Sequence, residues 1–298
     1  MIVDCHAHVA RVMTGFREPL RYGKVQDQGQ VAQMFPPSFD PPASPPEVLL
    51  GYMDQVGVDH TFLVQHHAYG NQNELVLECV RRWPDRFSGF AYLGGMGQPE
   101  APDQLERLVE NGMAGLKIEL PSTLRLRPAF RFDGDAEMRV FERLNALGRP
   151  LVIDVNGAPL DVVPQLRRVV ESFPRVHLVV THVGGAPGEG WQERARLANV
   201  DPSRGWVDLA ALPLFWGPEQ EYPYPKAQET LRWAVQEFGV DRIMWGTDYP
   251  PTLNYGTYRQ LLDWVRRHCE FLSAEDKAKI VGGNAERFLR EACGLRVG

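Results

Sequence analysis

The chain has 298 residues, 44% of them hydrophobic, and a net charge of −6 at pH 7; this length supports one large core, so we expect a single domain over residues 1–298. Basic residues form no run or stripe, which argues against nucleic acid as a partner. No stretch approaches the ~18 apolar residues of a membrane span, and the first predicted strand leaves no room for a signal sequence, so we expect a soluble, cytoplasmic protein that does not bind membranes.

The first predicted strand carries two histidines. Ile2-Val-Asp-Cys-His-Ala-His8 is apolar at its start, and alternation along a strand places His6 and His8 on one face. Two imidazoles held this way on rigid backbone have the geometry of metal ligands. Cys5 lies between Asp4 and His6, so its side chain should point away from the histidines.

A long segment rich in proline and glycine, residues 10–43, follows this strand. Such a length without regular structure predicts a functional lid, a small excursion such as a hairpin, or a variable surface loop. After it, Ser44-Pro-Pro-Glu47 is typical of a capping box, and it predicts a helix that continues to Val56.

From there, apolar runs of strand length alternate with amphipathic helices. The predicted strands are 61–65, 88–93, 115–120, 150–154, 178–182, 206–210 and 242–246. The predicted helices lie near 72–84, 101–112, 135–148, 160–173, 190–199, 225–239 and 256–269. With the first strand, this pattern makes eight β-α units.

Eight such units favour an α/β fold that closes into a single (β/α)8 TIM barrel with an insertion after strand 1. No GxGxxG sequence follows any predicted strand, which disfavours an open dinucleotide-binding sheet. Residues 273–293 predict two extra C-terminal helices, the second with Asn284 as its N-cap.

Polar residues gather at the carboxyl ends of the predicted strands, where the active site of such a barrel lies. They are His6, His8, His66, His67, Lys117, Glu119, Asp154, His182 and Asp248. Burying so many polar groups is costly unless they are paired or bind a metal. The pattern therefore predicts a functional site at this rim.

Four motifs give the chain a family resemblance. They are Asp4-Cys-His-Ala-His8, Thr181-His-Val-Gly-Gly185, Trp245-Gly-Thr-Asp-Tyr-Pro250 and Gly283-Asn-Ala-Glu-Arg-Phe288. In these motifs the chain resembles the amidohydrolase superfamily, specifically the amidohydrolase-2 branch that also contains aminocarboxymuconate-semialdehyde-like decarboxylases. The resemblance runs from residue 2 to about residue 290 and does not specify a substrate.

The resemblance implies a metal site. By position, His6, His8 and Asp248 would bind one divalent ion, Asp248 would also handle a proton of the attacking water, and His182 would polarise the substrate or transfer protons. Many members have a metal-binding histidine at the end of strand 5, where this chain has Asp154. Asp154 is either a metal ligand, which would shift preference from zinc toward Mn²⁺ or Mg²⁺, or a hydrogen-bonded residue beside the ligands.

Lys117 and Glu119 share one face of the predicted strand 4. Some members of the superfamily bridge two metals with a carboxylated lysine on this strand. An interior ion pair of Lys117 with Glu119 or Asp154 is the alternative, and we favour it.

Four further residues are candidates for substrate binding. His66 and His67 face opposite sides, so at most one of them should reach the site directly, and we assign His66 as the one that contacts substrate. Arg125 and Arg127 follow strand 4, where they would pair with a substrate carboxylate or form a solvated face. Tyr249 flanks the strand-8 motif and either lines the pocket or packs.

These observations predict a hydrolase that uses one divalent metal, zinc or else Mn or Mg, on a small carboxylate-bearing amide, ester or lactone. Non-oxidative decarboxylation of an aromatic or unsaturated acid at the same metal site is the alternative. A third hypothesis is a binding protein on a barrel that has lost catalysis. The resemblance also suggests a homodimer.

Overall fold

A parallel eight-stranded sheet forms the centre of the computed structural model, which describes residues 1–217 and 220–295. In chain order, the strands are β1 (Val3–Ala7), β2 (Glu18–Pro19), β3 (Lys24–Asp27), β4 (Gln30–Gln33), β5 (His60–Leu63), β6 (Phe87–Tyr92), β7 (Met113–Glu119), β8 (Leu151–Asp154), β9 (Leu178–Val180), β10 (Gly205–Asp208) and β11 (Ile243–Met244). The large sheet has the order β1-β5-β6-β7-β8-β9-β10-β11.

Backbone hydrogen bonds join the last strand to the first. Cys5 N donates to Trp245 O at 3.0 Å, and Asp248 N donates to His6 O at 2.8 Å. Because these bonds close the sheet, the architecture is an α/β TIM barrel, and the predicted fold is confirmed.

Helices cover the outside of the barrel. They are α1 (Pro46–Val56), α2 (Asn73–Arg82), α3 (Ala101–Glu110), α4 (Leu120–Leu126), α5 (Asp135–Leu147), α6 (Val162–Ser172), α7 (Trp191–Ala195), α8 (Leu212–Phe215), α9 (Pro225–Phe238), α10 (Tyr258–Arg266), α11 (Ala274–Ala278) and α12 (Asn284–Ala292). Helices α11 and α12 lie in the predicted C-terminal region, but a π-helical turn, Lys279–Gly283, joins them without a break. Within the described ranges, no helix is both long and apolar enough to cross a membrane.

The lower interior of the barrel is an apolar cluster to which every barrel strand contributes. Its strand members include Val3, Phe62, Phe90, Ala114, Val152, Val179, Trp206 and Met244. Helix α12 adds Phe288 and Leu289, both fully buried, to the same cluster. We call this cluster the floor.

The insertion after β1 forms a small antiparallel sheet, β2-β3-β4. Its tight turn at Gln28 and Gly29 has positive φ at both residues, 49° and 80°, which matches a two-residue hairpin turn. Arg125 of α4 forms a bidentate ion pair with Asp27, and Asn254 Nδ2 donates to Met34 O at 3.0 Å. The hairpin is therefore fixed to the rim of the barrel at two points.

Both predicted helix caps are wrong. Helix α1 has Pro45 as its N-cap and no side-chain cap bond, because Ser44 instead pairs its backbone with Ala10 in a short bridge. Asn284 is the first residue inside α12. Its Nδ2 donates to Ile243 O at 2.7 Å, so the side chain ties the helix to β11.

Candidate active site

A cavity of about 400 Å³ opens at the carboxyl ends of the barrel strands. Its lining includes His6, His8, His66, Lys117, Glu119, Asp154, His182 and Asp248. These are the polar strand-end residues singled out from the sequence, except for His67. The structure therefore brings that set together around one space, which we call the rim cavity.

His6 in β1 and His8 directly after it both face the carboxylate of Asp248. His8 Nε2 lies 2.9 Å and His6 Nε2 lies 3.7 Å from Asp248 Oδ1. On the other side of each ring, His8 Nδ1 donates to Val64 O at 2.9 Å and His6 Nδ1 donates to Asp208 Oδ2 at 3.0 Å. These bonds fix the ring orientations, so both Nε2 atoms point at the same place.

The donor set fits a divalent metal. A carbonyl only accepts, so His8 carries its hydrogen on Nδ1, and in the neutral ring the Nε2 lone pair then faces a carboxylate oxygen. A cation bound between these two acceptors would satisfy both of them. Burial, and then the charge of His182, lower the pKa of His6 well below its usual value, which favours its neutral form. Ligand atoms of His6, His8 and Asp248 lie within 4.8 Å of one another, as three protein ligands with an open position require.

Asp208, on β10, supports the site and is not among the site residues predicted from the sequence. It is buried, and besides His6 it accepts from the backbone N–H groups of His182 at 2.7 Å and Ala210 at 3.1 Å. Burial raises the pKa of its carboxyl. His6, His182 and Asp208 also lie close enough to hold an ion, but His182 Nδ1 is hydrogen-bonded to Ala210 O at 2.9 Å. This second group is therefore a positioning network.

The rim cavity is bordered by strained backbone. His182, Val183 and Asp248 have φ of 59°, 50° and 60°, a left-handed region that non-glycine residues rarely adopt. The hydrogen bonds from His182 N to Asp208 and from Asp248 N to His6 O hold two of these residues in place. Strain at functional side chains is typical of sites where orientation matters.

Asp154 lies beside His182 and apart from the ligand group. Its Oδ2 is 3.8 Å from His182 Nε2, and its Oδ1 accepts from Asn156 N at 2.8 Å. It belongs to neither cluster of close ligand atoms in the described part of the chain. Its position favours a role in stabilising charge on His182, and the metal-ligand role stays a prediction without geometric support.

Glu119 and Lys117 are buried neighbours of the same cavity. Burial, and then the charge of Asp154, raise the pKa of Glu119 to about 7. Both of its oxygens accept from Ser122 N, at 3.1 and 3.3 Å, so the carboxyl caps α4. Within residues 1–217 and 220–295, no carboxylate lies within 4.0 Å of Lys117 Nζ, so the favoured contact ion pair with Glu119 or Asp154 is not formed.

His66 and His67 separate as predicted. His66 lines the rim cavity, whereas His67 accepts from Tyr92 Oη at 2.7 Å and donates to Thr123 Oγ1 at 3.0 Å outside it. Because Thr123 Oγ1 itself donates to a backbone carbonyl, it accepts from His67 Nε2. His67 is thus held in a satisfied hydrogen-bond chain.

The other three predicted substrate contacts lie off the rim cavity as the structure describes its lining. Helix α4 begins directly after β7 and carries Arg125 to Asp27 of the hairpin and Arg127 to Glu137, at 2.8 Å. Tyr249 is fully buried and packs against other aromatic rings. The structure therefore does not place these three where they would touch a substrate.

Asp4 fixes the strand end that carries Asp248. Its carboxyl accepts from Thr247 Oγ1 at 2.6 Å, Thr247 N at 2.9 Å and Tyr258 Oη at 2.7 Å. Burial raises the pKa of Asp4 to about 6 despite these bonds. The first residue of the histidine motif thus joins β1 to the segment after β11.

Two curated relatives hydrolyse lactones by name. L-fucono-1,5-lactonase of Burkholderia ambifaria is 28% identical over 157 residues, which cover 48% of this chain and 51% of the relative. 4-Sulfomuconolactone hydrolase of Rhizobium radiobacter is 24% identical over 225 residues, which cover 71% and 68%. The match to the first spans about half of that relative's length.

Solved structures share the fold. A probable 2-pyrone-4,6-dicarboxylic acid hydrolase of Acinetobacter baumannii, with citric acid bound, has a TM-score of 0.72 at 17% identity over 99% of both chains. An amidohydrolase of Burkholderia multivorans with bound zinc has a TM-score of 0.71 at 20% identity over 96% of this chain and 98% of its own. A dihydroxybenzoic acid decarboxylase of Polaromonas with bound manganese has a TM-score of 0.58 at 19% identity over 82% and 85%.

The family of this chain follows from a sequence match. A family model described as Amidohydrolase matches residues 3–290, which is nearly the whole chain. All four motifs and every residue of the rim cavity lie inside this range. The chain is therefore an enzyme of the amidohydrolase family.

Proposed function

We propose that this enzyme hydrolyses a small carboxylate-bearing lactone with the help of one divalent metal ion. The convergence of His6, His8 and Asp248, with both Nε2 atoms aimed at one carboxylate oxygen, carries this proposal. The two curated relatives support the lactone as substrate, because both are named for lactone hydrolysis. An amide or ester is the broader class to which the same chemistry applies.

We propose zinc as the ion, with manganese or magnesium as alternatives. Two imidazoles and one carboxylate are a common catalytic zinc set, and a structural neighbour was solved with zinc. An ion held there would acidify water and polarise a carbonyl oxygen.

The surrounding residues then move the protons. Asp248 takes a proton from the water that attacks the lactone carbonyl carbon. As the ring C–O bond breaks, protonated His182 gives a proton to the ring oxygen, so the product is a hydroxy acid. The proton held by Asp248 then returns to His182 and restores its protonated form. Asp154, 3.8 Å from His182 Nε2, stabilises the imidazolium.

A substrate panel tests the proposal. Purified protein, loaded with zinc, is given five- and six-membered lactones and a set of aromatic acids, and products are identified by chromatography with parallel detection of carbon dioxide. We expect at least one lactone to open to its hydroxy acid, with activity that follows zinc content. Release of carbon dioxide from an acid, with all lactones untouched, would replace hydrolysis by decarboxylation.

A further inference from the structure

Lys117 is a buried lysine that forms no contact ion pair in the described part of the chain. Its side chain comes from β7, is 3% exposed and lines the rim cavity. Across the described ranges, it makes no hydrogen bond and has no carboxylate within 4.0 Å. Glu119, the acid on the same strand face, is engaged in capping α4. Since a buried charge is costly unless it is paired, this amine is suited to a partner that arrives from outside.

His66 offers a second free donor in the same place. Its Nδ1 accepts from Ala68 N at 3.0 Å, so in the neutral ring the hydrogen is on Nε2. Glu119 Oε2 lies 3.7 Å from that Nε2, which is too far for a hydrogen bond. The His66 Nε2–H group therefore lies beside Glu119 in the rim cavity and makes no hydrogen bond in the described part of the chain.

Arg17 brings a third donor from the insertion. It lines the rim cavity, and its Nε is 3.8 Å from Asp27 Oδ2. Asp27 is already held by the bidentate pair with Arg125. Arg17 also donates weakly to Met34 Sδ at 3.6 Å, and its guanidinium lies 5.6 Å from the centre of the Phe16 ring. The guanidinium therefore keeps strong donors for another acceptor.

These three groups line the same cavity as the metal-type ligands. Burial and then the charges of His8, Arg17 and Lys117 lower the pKa of His66 well below its usual value, so these three groups are near enough to act on its ring. The His66 and His8 ring centroids are 6.1 Å apart. The three donors thus form one side of the cavity that adjoins the His6, His8 and Asp248 group.

We propose that Lys117, His66 and Arg17 form a carboxylate-binding subsite, with Lys117 as the main specificity-determining residue. The substrate would carry a carboxylate outside the ring that is opened, and this group would supply the partner that Lys117 lacks. This assignment rests on the proposed lactone hydrolysis, and it names the residues that select among lactones. The sequence predicts Arg125 and Arg127 as partners of the substrate carboxylate, but in the structure Arg125 pairs with Asp27 and Arg127 with Glu137.

A pair of matched lactones tests this subsite. One is a five-membered unsaturated lactone with a carboxymethyl substituent, and the other is its carboxamide, which has the same shape without the charge. The ratio of kcat/KM for the two should fall at least about tenfold in Lys117→Met, the size of effect of losing a charge-assisted hydrogen bond. Lys117→Arg should recover part of the ratio. Lys279→Met, at an exposed lysine paired with Asp241, is the control and should keep the wild-type ratio.

Stability separates binding from a structural role. If Lys117 were a structural ion-pair member, Lys117→Met would unfold at a lower urea concentration than the wild type. Because the amine forms no contact ion pair with the described residues, we expect the variant to be at least as stable. A destabilised variant with an unchanged lactone ratio would overturn the subsite.

A binding measurement keeps this inference independent of turnover. Calorimetric titration with cis,cis-muconate, a small dicarboxylate, should show binding to the wild type that weakens at least about tenfold in Lys117→Met. The dimethyl ester of muconate should not bind. If no lactone is hydrolysed, the proposed function fails while this titration still tests the subsite. Equal muconate affinity in wild type and Lys117→Met would refute it.

Discussion

The floor and the rim cavity are built from the same eight strands and differ in their physical character. In the floor, buried apolar side chains such as Phe62 and Phe288 pack together. In the rim cavity, buried polar groups face one another, and His182 and Asp248 have left-handed backbone. The difference indicates that the floor supplies folding energy, whereas the rim holds groups that destabilise the fold and serve chemistry.

Asp248→Asn should have the largest effect on chemistry. Asparagine is nearly isosteric and tolerates the positive φ of 60° at this position, but it is a poor base. We expect kcat on an identified lactone to fall about 10²–10⁴-fold, the range of a general-base contribution. The measurement is steady-state kinetics at saturating zinc, with thermal unfolding to verify that the fold is retained.

A substitution in the floor is the control for this prediction. Phe288→Ala removes a fully buried ring and should lower the free energy of unfolding by about 3–5 kcal/mol. Its remaining folded fraction should keep the wild-type kcat. If Asp248→Asn instead cost mainly stability and Phe288→Ala mainly turnover per folded molecule, the division between floor and rim would be wrong.

Most of the fold was predictable because its signals are local. Apolar runs and helical periodicity give strand order and the TIM barrel, and polar residues that interrupt those runs, such as His6 and Asp154, indicate the rim. Asp208 interrupts the run Trp206-Val-Asp-Leu209 in the same way. The predicted strand 206–210 includes Asp208, but Asp208 is not among the predicted site residues, although it is also a polar residue in an apolar run.

The direction in which a side chain leaves a strand end depends on the element that follows, and the sequence does not encode this locally. Arg125 and Arg127 follow β7 as expected, but α4 begins at once and turns them away from the cavity. Arg17 reaches the cavity only because the hairpin folds back over the rim. The position of Arg17 depends on tertiary contacts that hold the hairpin, such as the pair of Asp27 with Arg125, which are 98 residues apart in the sequence.

Glu119→Gln tests whether the buried carboxyl of Glu119 makes the free energy of unfolding depend on pH. The folded pKa of Glu119, about 7, is above its ordinary value of 4.5, so the folded state keeps a proton that the unfolded state releases. The free energy of unfolding therefore falls as pH rises through this window. Without this group, the variant should gain up to ~3 kcal/mol relative to the wild type between pH 4.5 and about 8.

Urea titrations across the same pH range, on protein freed of metal with a chelator, measure this difference. Glu275→Gln is the matched control, because that side chain is 80% exposed on α11. Its stability profile should run parallel to that of the wild type. Parallel profiles for Glu119→Gln as well would show that the buried carboxyl has no such penalty.

Asp208→Asn should weaken metal binding without touching a ligand atom. The carboxylate accepts on both oxygens, from His6 Nδ1 and from His182 N, and an amide presents a donor to one of them. Loss of such a supporting partner usually lowers metal affinity by about 10–100-fold. Zinc affinity is measured by competition with a chromophoric chelator. Asp263→Asn, at a buried aspartate paired with Arg266, controls for loss of a buried charge, and equal zinc affinity in all three proteins would remove Asp208 from this role.

Arg125→Met should have the smallest effect, and its size distinguishes two roles for this arginine. If Arg125 only holds the hairpin over the rim cavity through Asp27 and the Phe16 ring, the variant loses a surface ion pair of about 0–1 kcal/mol. A looser hairpin would then raise KM by about two- to fivefold, with kcat little changed. A substrate-carboxylate contact would instead cost tenfold or more, about 1.4 kcal/mol or above. The kinetics of Arg125→Met on the carboxylated lactone, beside those of Arg17→Met, decide the matter, because the structure places only Arg17 in the cavity and so predicts the larger loss there.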